Sequence, residues 1–248
     1  MISKCFNKEQ IHKGVLSLNA SEFLEGTILM YLNSYGTDYD FCEFFLQTEN
    51  NIPTAAILRY NTFLYCSVST HADLDELFCW LKGFESSVIY INVDFSGYIQ
   101  DQITEECAFM HKKGVSFSDI RVENITASSD IMQISRMVNK ESAEDATKEY
   151  FLDLTYRTRH NISEIKGIYK YDELVSFLSY SCPCYGKSVV DLVYTKDNFR
   201  GNGYSSAVVK GALNNEDTDY YLICELSLQG FYEKLGFEFC GKCFKIVM

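Results

Sequence analysis

Residues 193–206 read VYTKDNFRGNGYSS, and the fold prediction depends on this stretch. A β-branched and aromatic run leads into Gly201 and Gly203, and a helical pattern follows. Glycines between a strand and a helix let the backbone adopt conformations closed to other residues and approach a ligand closely. Consecutive N–H groups in such a turn, with the N-terminus of the following helix, bind phosphate oxygens. The stretch therefore predicts an anion site, to which Arg200 adds a fixed positive charge.

Two well-known phosphate-binding patterns do not match this stretch. A Walker loop needs Lys followed by Ser or Thr after its second glycine, where Tyr204 stands here. A dinucleotide-binding fingerprint needs a different glycine spacing and a parallel strand context. A plain strand–turn–helix connection without a ligand stays open as the alternative.

The second half of the chain predicts an α+β domain around the glycine turn. The turn is preceded by helices and then three antiparallel strands, predicted over residues 131–138, 143–157, 163–170, 174–181 and 188–195. It is followed by a helix, a strand, a helix and a hairpin, predicted over residues 203–213, 220–225, 228–235 and 237–247. We place a domain boundary between residues 126 and 127, which gives domains 1–126 and 127–248.

The first half of the chain has a similar pattern of predicted helices and strands but lacks the glycine turn. Ser21 caps a predicted helix, residues 40–69 predict an antiparallel meander, and Asp73 begins another helix. A strand over 88–93 and a helix over 103–111 complete the pattern. Residues 1–126 are therefore interpreted as a scaffold or substrate-side domain.

Composition and charge exclude several classes of protein. No run approaches the roughly 18 apolar residues of a membrane span, and the first ten residues lack a secretory pattern. A soluble, cytoplasmic protein is expected. The formal net charge of −12 disfavours nucleic-acid binding, which needs clustered basic side chains. Residues 1–126 contain 8 basic and 17 acidic side chains, a net charge of −9, which favours a cationic partner for this half.

Ten cysteines include two closely spaced pairs, Cys182-Pro-Cys184 and Cys240-Gly-Lys-Cys243. A four-thiolate zinc site would need both pairs to converge. The alternative is a hairpin turn at Gly241-Lys242 that the second pair merely flanks. We expect no metal site.

With the residues downstream, the glycine stretch resembles the GNAT superfamily of acyl-CoA-dependent N-acyltransferases. Arg200, Gly203 and Ser205 match the signature Arg/Gln-x-x-Gly-x-Gly/Ala, with serine in the last place. A second signature, Tyr-x-x-x-Gly-Phe at a helix end, is matched by residues 232–237. The resemblance covers residues 127–248 and implies a mixed, mostly antiparallel sheet with flanking helices. It also suggests a degenerate GNAT-like repeat in residues 1–126.

The resemblance implies acetyl-CoA as the acyl donor and assigns functions to individual residues. Main-chain groups of Val193 and Thr195 would pair with the pantetheine arm, and the amides from Arg200 to Ser205 would hold the pyrophosphate. Tyr232 would protonate the departing thiolate; its alternative role is that of a core aromatic on an amphipathic helix. The cofactor-binding residues are thus predicted to be Val193, Tyr194, Thr195, Arg200, Gly201, Asn202, Gly203, Tyr204 and Ser205.

The expected reaction is direct transfer of an acetyl group to a primary amine of a small molecule or peptide. Asp191 is a candidate general base that could accept the amine proton through water, but a solvent-facing strand end is the favoured interpretation, and no base is assigned. An Asn common in the family is absent from residues 225–228, and Thr195 and Asp197 replace the usual Val and Pro. Two alternatives therefore stay open: a non-catalytic CoA-binding or regulatory module, and a protein-interaction domain that retains the fold.

Overall fold

The computed structural model describes residues 1–84, 88–95, 97–98, 103–115, 120–140 and 144–247. Its strands are β1 Ile2–Cys5, β2 Cys42–Glu49, β3 Ile52–Tyr60, β4 Phe63–Val68, β5 Val88–Ile91, β6 Ile103–Lys113, β7 Glu123–Asn124, β8 Ser163–Lys170, β9 Glu173–Ser181, β10 Lys187–Thr195, β11 Asp219–Glu225 and β12 Glu238–Val247. Its α-helices are α1 Lys8–Leu18, α2 Glu22–Tyr35, α3 Leu74–Leu81, α4 Ser128–Val138, α5 Glu144–Arg159, α6 Tyr204–Ala212 and α7 Leu226–Glu233. The chain therefore has the mixed α+β class that the sequence predicted.

The chain packs into two compact units. Unit 1 consists of residues Met1–Met110, Ile223–Glu233 and Glu238–Met248, and unit 2 of residues His111–Leu222 and Lys234–Phe237. These units are defined by packing alone. The domain boundary between residues 126 and 127 stays a prediction.

Unit 1 is built on a mostly antiparallel sheet with the strand order β1-β2-β3-β4-β5-β12-β6. Strands β1 to β4 pair antiparallel, β4 pairs parallel with β5, and β12 pairs antiparallel with β5. Helix α2 begins at Ser21, whose hydroxyl accepts from the Leu24 N–H, and α3 begins at Asp73, whose carboxylate accepts from the Glu76 N–H. Both predicted helix starts are confirmed.

Two sequence predictions for unit 1 are wrong. Residues 103–111 form strand β6 rather than a helix, and the predicted hairpin at residues 237–247 is one continuous strand, β12. The reason is pairing between residues far apart in sequence: Lys242 and Lys245 of β12 bind Glu106 and Glu105 of β6, each at 2.9 Å. Strand β6 is hydrogen-bonded to β12 in the sheet, and this pairing overrides the helix propensity of the Glu, Ala and Met residues of β6. Gly241-Lys242 consequently lies inside a strand and is not a turn.

Unit 2 has the strand order β11-β10-β9-β8-β7. Strands β7 to β10 pair antiparallel, and β10 pairs parallel with β11. Helices α4 and α5 contribute to an apolar core with β8 and β9, which includes Ile131, Ile134, Leu154, Ile165 and Phe177. The predicted helices, meander and glycine turn of this half are confirmed as elements.

Candidate functional site

Strand β10 separates from β11 partway along its length. The parallel pairing of the two strands covers Lys187 to Val189, and the last partners are Val189 and Tyr221, although β10 continues to Thr195. The register between β10 and β9 shifts between Val190 and Leu192, which is a β-bulge. A bulge bends and twists its strand, and this one accounts for the divergence. The result is an edge of β10, after Val189, that β11 no longer covers.

Every second residue of β10 directs its backbone N–H and C=O groups toward that edge. The N–H of Lys196 donates to the Val175 oxygen, on the β9 side, at 2.9 Å. Because backbone groups alternate between the two edges of a strand, Val193 and Thr195 direct theirs away from β9. The Thr195 oxygen accepts a bond from Arg200 Nε at 3.3 Å. Val193 and Thr195 therefore lie on the edge where a ligand could add as an extra strand.

The glycine turn after β10 presents a row of backbone N–H groups. Residue Arg200 has φ −64°, Gly201 has φ +77° and Gly203 has φ +80°, and Gly203 is the N-cap of α6. Alternation of negative and positive φ points successive N–H groups into one concave surface that suits an anion. Among the described residues, no protein group accepts a hydrogen bond from the N–H groups of residues 201–205.

The charge around the turn is positive. The Asp197 carboxylate forms two ion pairs, with Arg200 Nη2 at 2.9 Å and with Lys140 Nζ at 2.8 Å, so that two cations share one carboxylate. The hydrogen bond from Lys140 and the charge of Arg200 lower the pKa of Asp197. The first turn of α6 contains no acidic residue. Lys140 was not identified from the sequence, because 57 residues separate it from Asp197.

A chain of hydroxyl groups fixes the first turn of α6 to the sheet. Ser176 of β9 donates to the Tyr194 oxygen at 3.0 Å, Thr195 lies 2.8 Å from Ser176, and Ser205 lies 2.7 Å from Thr195. Each hydroxyl has one proton. Since Ser176 uses its proton on Tyr194, Thr195 must donate to Ser176, and Ser205 must donate to Thr195. The Ser205 hydroxyl proton is therefore directed inward, and its backbone N–H is the donor left for a ligand.

Replacing Thr195 with valine should destabilise the protein. The Thr195→Val variant keeps the shape of the side chain but removes both the donor to buried Ser176 and the acceptor for Ser205. We expect a loss of about 1–3 kcal/mol in the free energy of unfolding, measured by urea denaturation. Thr195→Ser keeps the hydroxyl and should lose less than half of that amount. Equal losses in the two variants would contradict the role of the hydroxyl chain.

Asp191, the candidate base, is held by a buried arginine. Arg157 Nη1 lies 2.8 Å from Asp191 Oδ2, and the same guanidinium binds Asp153 at 2.9 Å. Burial raises the pKa of Asp191, and the charge of Arg157 opposes that rise. The carboxylate stands at the β10 bulge, so the ion pair fixes the strand where it bends. This contact explains Asp191 without a catalytic role.

Tyr232, the predicted acid, lies in helix α7 and belongs to unit 1. Its side chain is buried, and its ring packs edge-on against Phe231 with 5.0 Å between the ring centroids. Burial, with a smaller effect of Cys224, raises the pKa of Tyr232 to about 12. The phenol therefore keeps its proton at neutral and moderately alkaline pH. Its catalytic role stays a prediction.

The predicted site residues thus divide between the two units. Unit 2 brings together the nine predicted cofactor-binding residues, from Val193 on β10 to Ser205 at the start of α6, and unit 1 holds Tyr232. The cysteine pairs 182/184 and 240/243 likewise belong to different units. Within the described ranges, no group of three or more His, Cys, Asp or Glu side chains could hold a metal ion. In that same part of the chain, no helix combines the length and apolar character needed to span a bilayer.

Comparison with known proteins gives no match at the level of sequence. Neither a family model nor a curated protein sequence matches the chain. Solved structures do match it. A tandem GNAT protein from the clavulanic acid biosynthesis pathway is similar over 100% of this chain and 98% of its own, with a TM-score of 0.63 and 8% identity.

Two further structures give the same result. A GCN5-related N-acetyltransferase from Sphaerobacter thermophilus matches 99% of this chain and 94% of its own, with a TM-score of 0.63 and 11% identity. A GNAT-family acetyltransferase from Colwellia psychrerythraea matches 100% and 99%, with a TM-score of 0.57 and 12% identity. The chain therefore has the GNAT fold, and the likeness covers its whole length, beyond the 127–248 that the motifs indicated. Coverage of both halves by a tandem protein agrees with two GNAT-like domains.

Proposed function

We propose that the protein is an N-acetyltransferase that transfers an acetyl group from acetyl-CoA directly to a primary amine. The observation that carries the proposal is the junction of β10 and α6. There, the strand edge at Val193 and Thr195 leads directly into the unpaired N–H groups of residues 201–205. A ligand with amide groups in an extended arm and a pyrophosphate at its end suits both features.

In this proposal each part of unit 2 has one task in binding acetyl-CoA. The N–H groups of residues 201–205 and the Arg200 guanidinium hold the pyrophosphate, where helix α6 adds the positive end of its dipole. Main-chain groups of Val193 and Thr195 pair with the amides of the pantetheine arm. A main-chain N–H near Val193 polarises the thioester carbonyl.

The proposed transfer is a single displacement. The acceptor ammonium first loses one proton to water, and the neutral amine then attacks the thioester carbon. A C–N bond forms, and the C–S bond breaks as the tetrahedral intermediate collapses. The attacking nitrogen loses its second proton to water, and Tyr232 supplies a proton to the departing thiolate and regains one from solvent. The support for Tyr232 is the family signature and a phenol that stays protonated, with its pKa raised to about 12.

The acceptor is proposed to be a cationic small molecule or peptide. Residues 1–126 contain 8 basic and 17 acidic side chains, a net charge of −9, which attracts amines in their charged form. The sequence carries no basic cluster of the kind that would favour a nucleic acid as partner.

Calorimetric titration with acetyl-CoA tests the proposal. We expect micromolar affinity for acetyl-CoA, and weaker binding of adenosine 3′-phosphate 5′-diphosphate, which keeps the 3′-phosphate and the pyrophosphate but lacks the pantetheine arm. Transfer to amines is then measured by release of free CoA thiol. A folded protein that binds neither compound would contradict the proposal and leave an interaction protein. Binding without turnover on any amine would instead indicate a CoA-binding regulatory module.

A further inference from the structure

The two units contain the same succession of elements around one strand. In unit 1 the order is β2, β3, β4, α3, β5, and in unit 2 it is β8, β9, β10, α6, β11. In both, three antiparallel strands lead into a helix, and the third strand pairs parallel with the strand after that helix. Strand β4 therefore has the same place in unit 1 that β10 has in unit 2. A second acyl-CoA site would be expected at its end.

The edge of β4 is covered almost to its last residue. Parallel pairing with β5 runs from Phe63 to Cys66, whose partner is Ile91, and β4 ends at Val68. The pairing of β4 with β3 is regular from Phe63 to Val68, without the register shift that bends β10. Strands β4 and β5 accordingly stay together where β10 and β11 diverge.

A side chain completes the closure at the last residue of β4. The Val68 N–H donates to Asn92 Oδ1 at 2.8 Å, and Asn92 Nδ2 donates to the Val68 oxygen at 2.9 Å. The next residue, Ser69, donates its N–H to Thr54 on the β3 side, so Val68 faces the opposite edge. The Asn92 side-chain amide thus donates one hydrogen bond to Val68 and accepts one from it. A ligand added as an extra strand would make the same pair of bonds, through the C=O of one of its amides and the N–H of the next.

The start of α3 is also unsuited to a phosphate. The Asp73 carboxylate caps the helix by accepting from the Glu76 N–H, and Asp75 and Glu76 lie in the first turn. The connection from Val68 to this helix contains no glycine. Carboxylates occupy the region where the helix dipole would favour an anion, and a phosphate there would meet like charges. The first turn of α6 has no acidic residue.

We propose that Asn92 takes the place of ligand amides on β4, and that the described residues consequently form a single acyl-CoA site, at β10 and α6 in unit 2. The location of the occupied site rests on the proposed function. The closure of β4 rests on hydrogen bonds within unit 1.

Binding stoichiometry tests the assignment. Wild-type protein and the Gly203→Glu variant, in which the turn before α6 is blocked, are titrated with acetyl-CoA by calorimetry. Native mass spectrometry then counts the acetyl-CoA molecules bound to each chain. We expect one acetyl-CoA per wild-type chain and none in the variant. Two per wild-type chain would overturn the single-site assignment and leave the proposed function standing. One per wild-type chain that Gly203→Glu retains would overturn the location at β10 and α6, and with it the observation that carries the proposed function. No binding to the wild type would overturn the proposed function together with the assignment.

Amide hydrogen exchange tests Asn92 independently of any ligand. In Asn92→Ala, exchange of the Val68 N–H should become at least about tenfold faster, because its acceptor is gone. The Ser69 N–H, which is bonded to β3, is the internal control and should exchange as in the wild type. Unchanged Val68 exchange in the variant, or slowing of Val68 exchange by acetyl-CoA in the wild type, would show that Asn92 does not close the edge.

Discussion

The Gly203→Glu variant is expected to bind acetyl-CoA at least about a hundredfold more weakly than the wild type, a loss of roughly 3 kcal/mol. Gly203 has φ +80°, a conformation that strains any residue with a side chain. A carboxylate there would also lie among the N–H groups of residues 201–205. Losing two charge-assisted hydrogen bonds, at about 1.5–3 kcal/mol each, accounts for the size of the effect.

A matched variant separates this effect from simple addition of charge. Gly26 lies inside helix α2 of unit 1, and a Cβ added there would meet no atom within 4 Å. Gly26→Glu should therefore fold and bind acetyl-CoA as the wild type does. Calorimetry gives the affinities, and thermal unfolding shows that each variant is folded. Equal affinity of folded Gly203→Glu and wild type would rule out phosphate binding at the turn before α6.

The Tyr232→Phe variant is expected to lower kcat by about a hundredfold or more, because general acids contribute that much to proton transfer. The dissociation constant of acetyl-CoA should change by less than about twofold, since the phenol is assigned to the transfer step and not to binding. Steady-state kinetics and calorimetry measure the two quantities. Tyr39→Phe removes the same atom from a tyrosine that is 45% exposed in unit 1, and should leave both unchanged.

The pH dependence of kcat gives a second test of Tyr232. Burial raises its pKa to about 12, and an acid acts in its protonated form, which predominates below the pKa. Tyr232 therefore should not cause kcat to fall on the alkaline side until the pH approaches that value. A wild-type decrease centred near pH 9 that disappears in Tyr232→Phe would contradict a buried, fully protonated acid. A kcat that is equal in the variant and the wild type would leave Tyr232 as a core aromatic.

Helix starts and alternating strands were predictable where the signal lies within one segment. Ser21 and Asp73 cap helices because each side chain reaches an N–H three residues away. The glycine turn was predictable for a similar reason, since Gly201 and Gly203 adopt the positive φ that their positions require. The motifs of the second half then indicated the GNAT fold, which the solved structures extend to the whole chain.

What the sequence did not predict depends on partners far along the chain. Strand β6 has helix-forming residues, and its conformation is decided by β12, more than 120 residues later. The Asn92–Val68 pair and the hydroxyl chain through Ser176 also join separate elements, at spacings that follow no local periodicity. The roles of the cofactor-binding residues and Tyr232 stay predictions that the variants above can test.

The position of β12 has a consequence for synthesis of the protein. Strand β12 pairs with β5 and lies next to β6 in the strand order of unit 1, yet it is translated more than 120 residues after β6. At the usual speed of a ribosome this interval lasts on the order of ten seconds. During that time the nascent chain exposes apolar strands with an unpaired edge, which invites aggregation. Unit 1 therefore cannot complete its sheet as an early folding unit, and chaperone contact with nascent chains should be strongest between completion of β6 and emergence of β12.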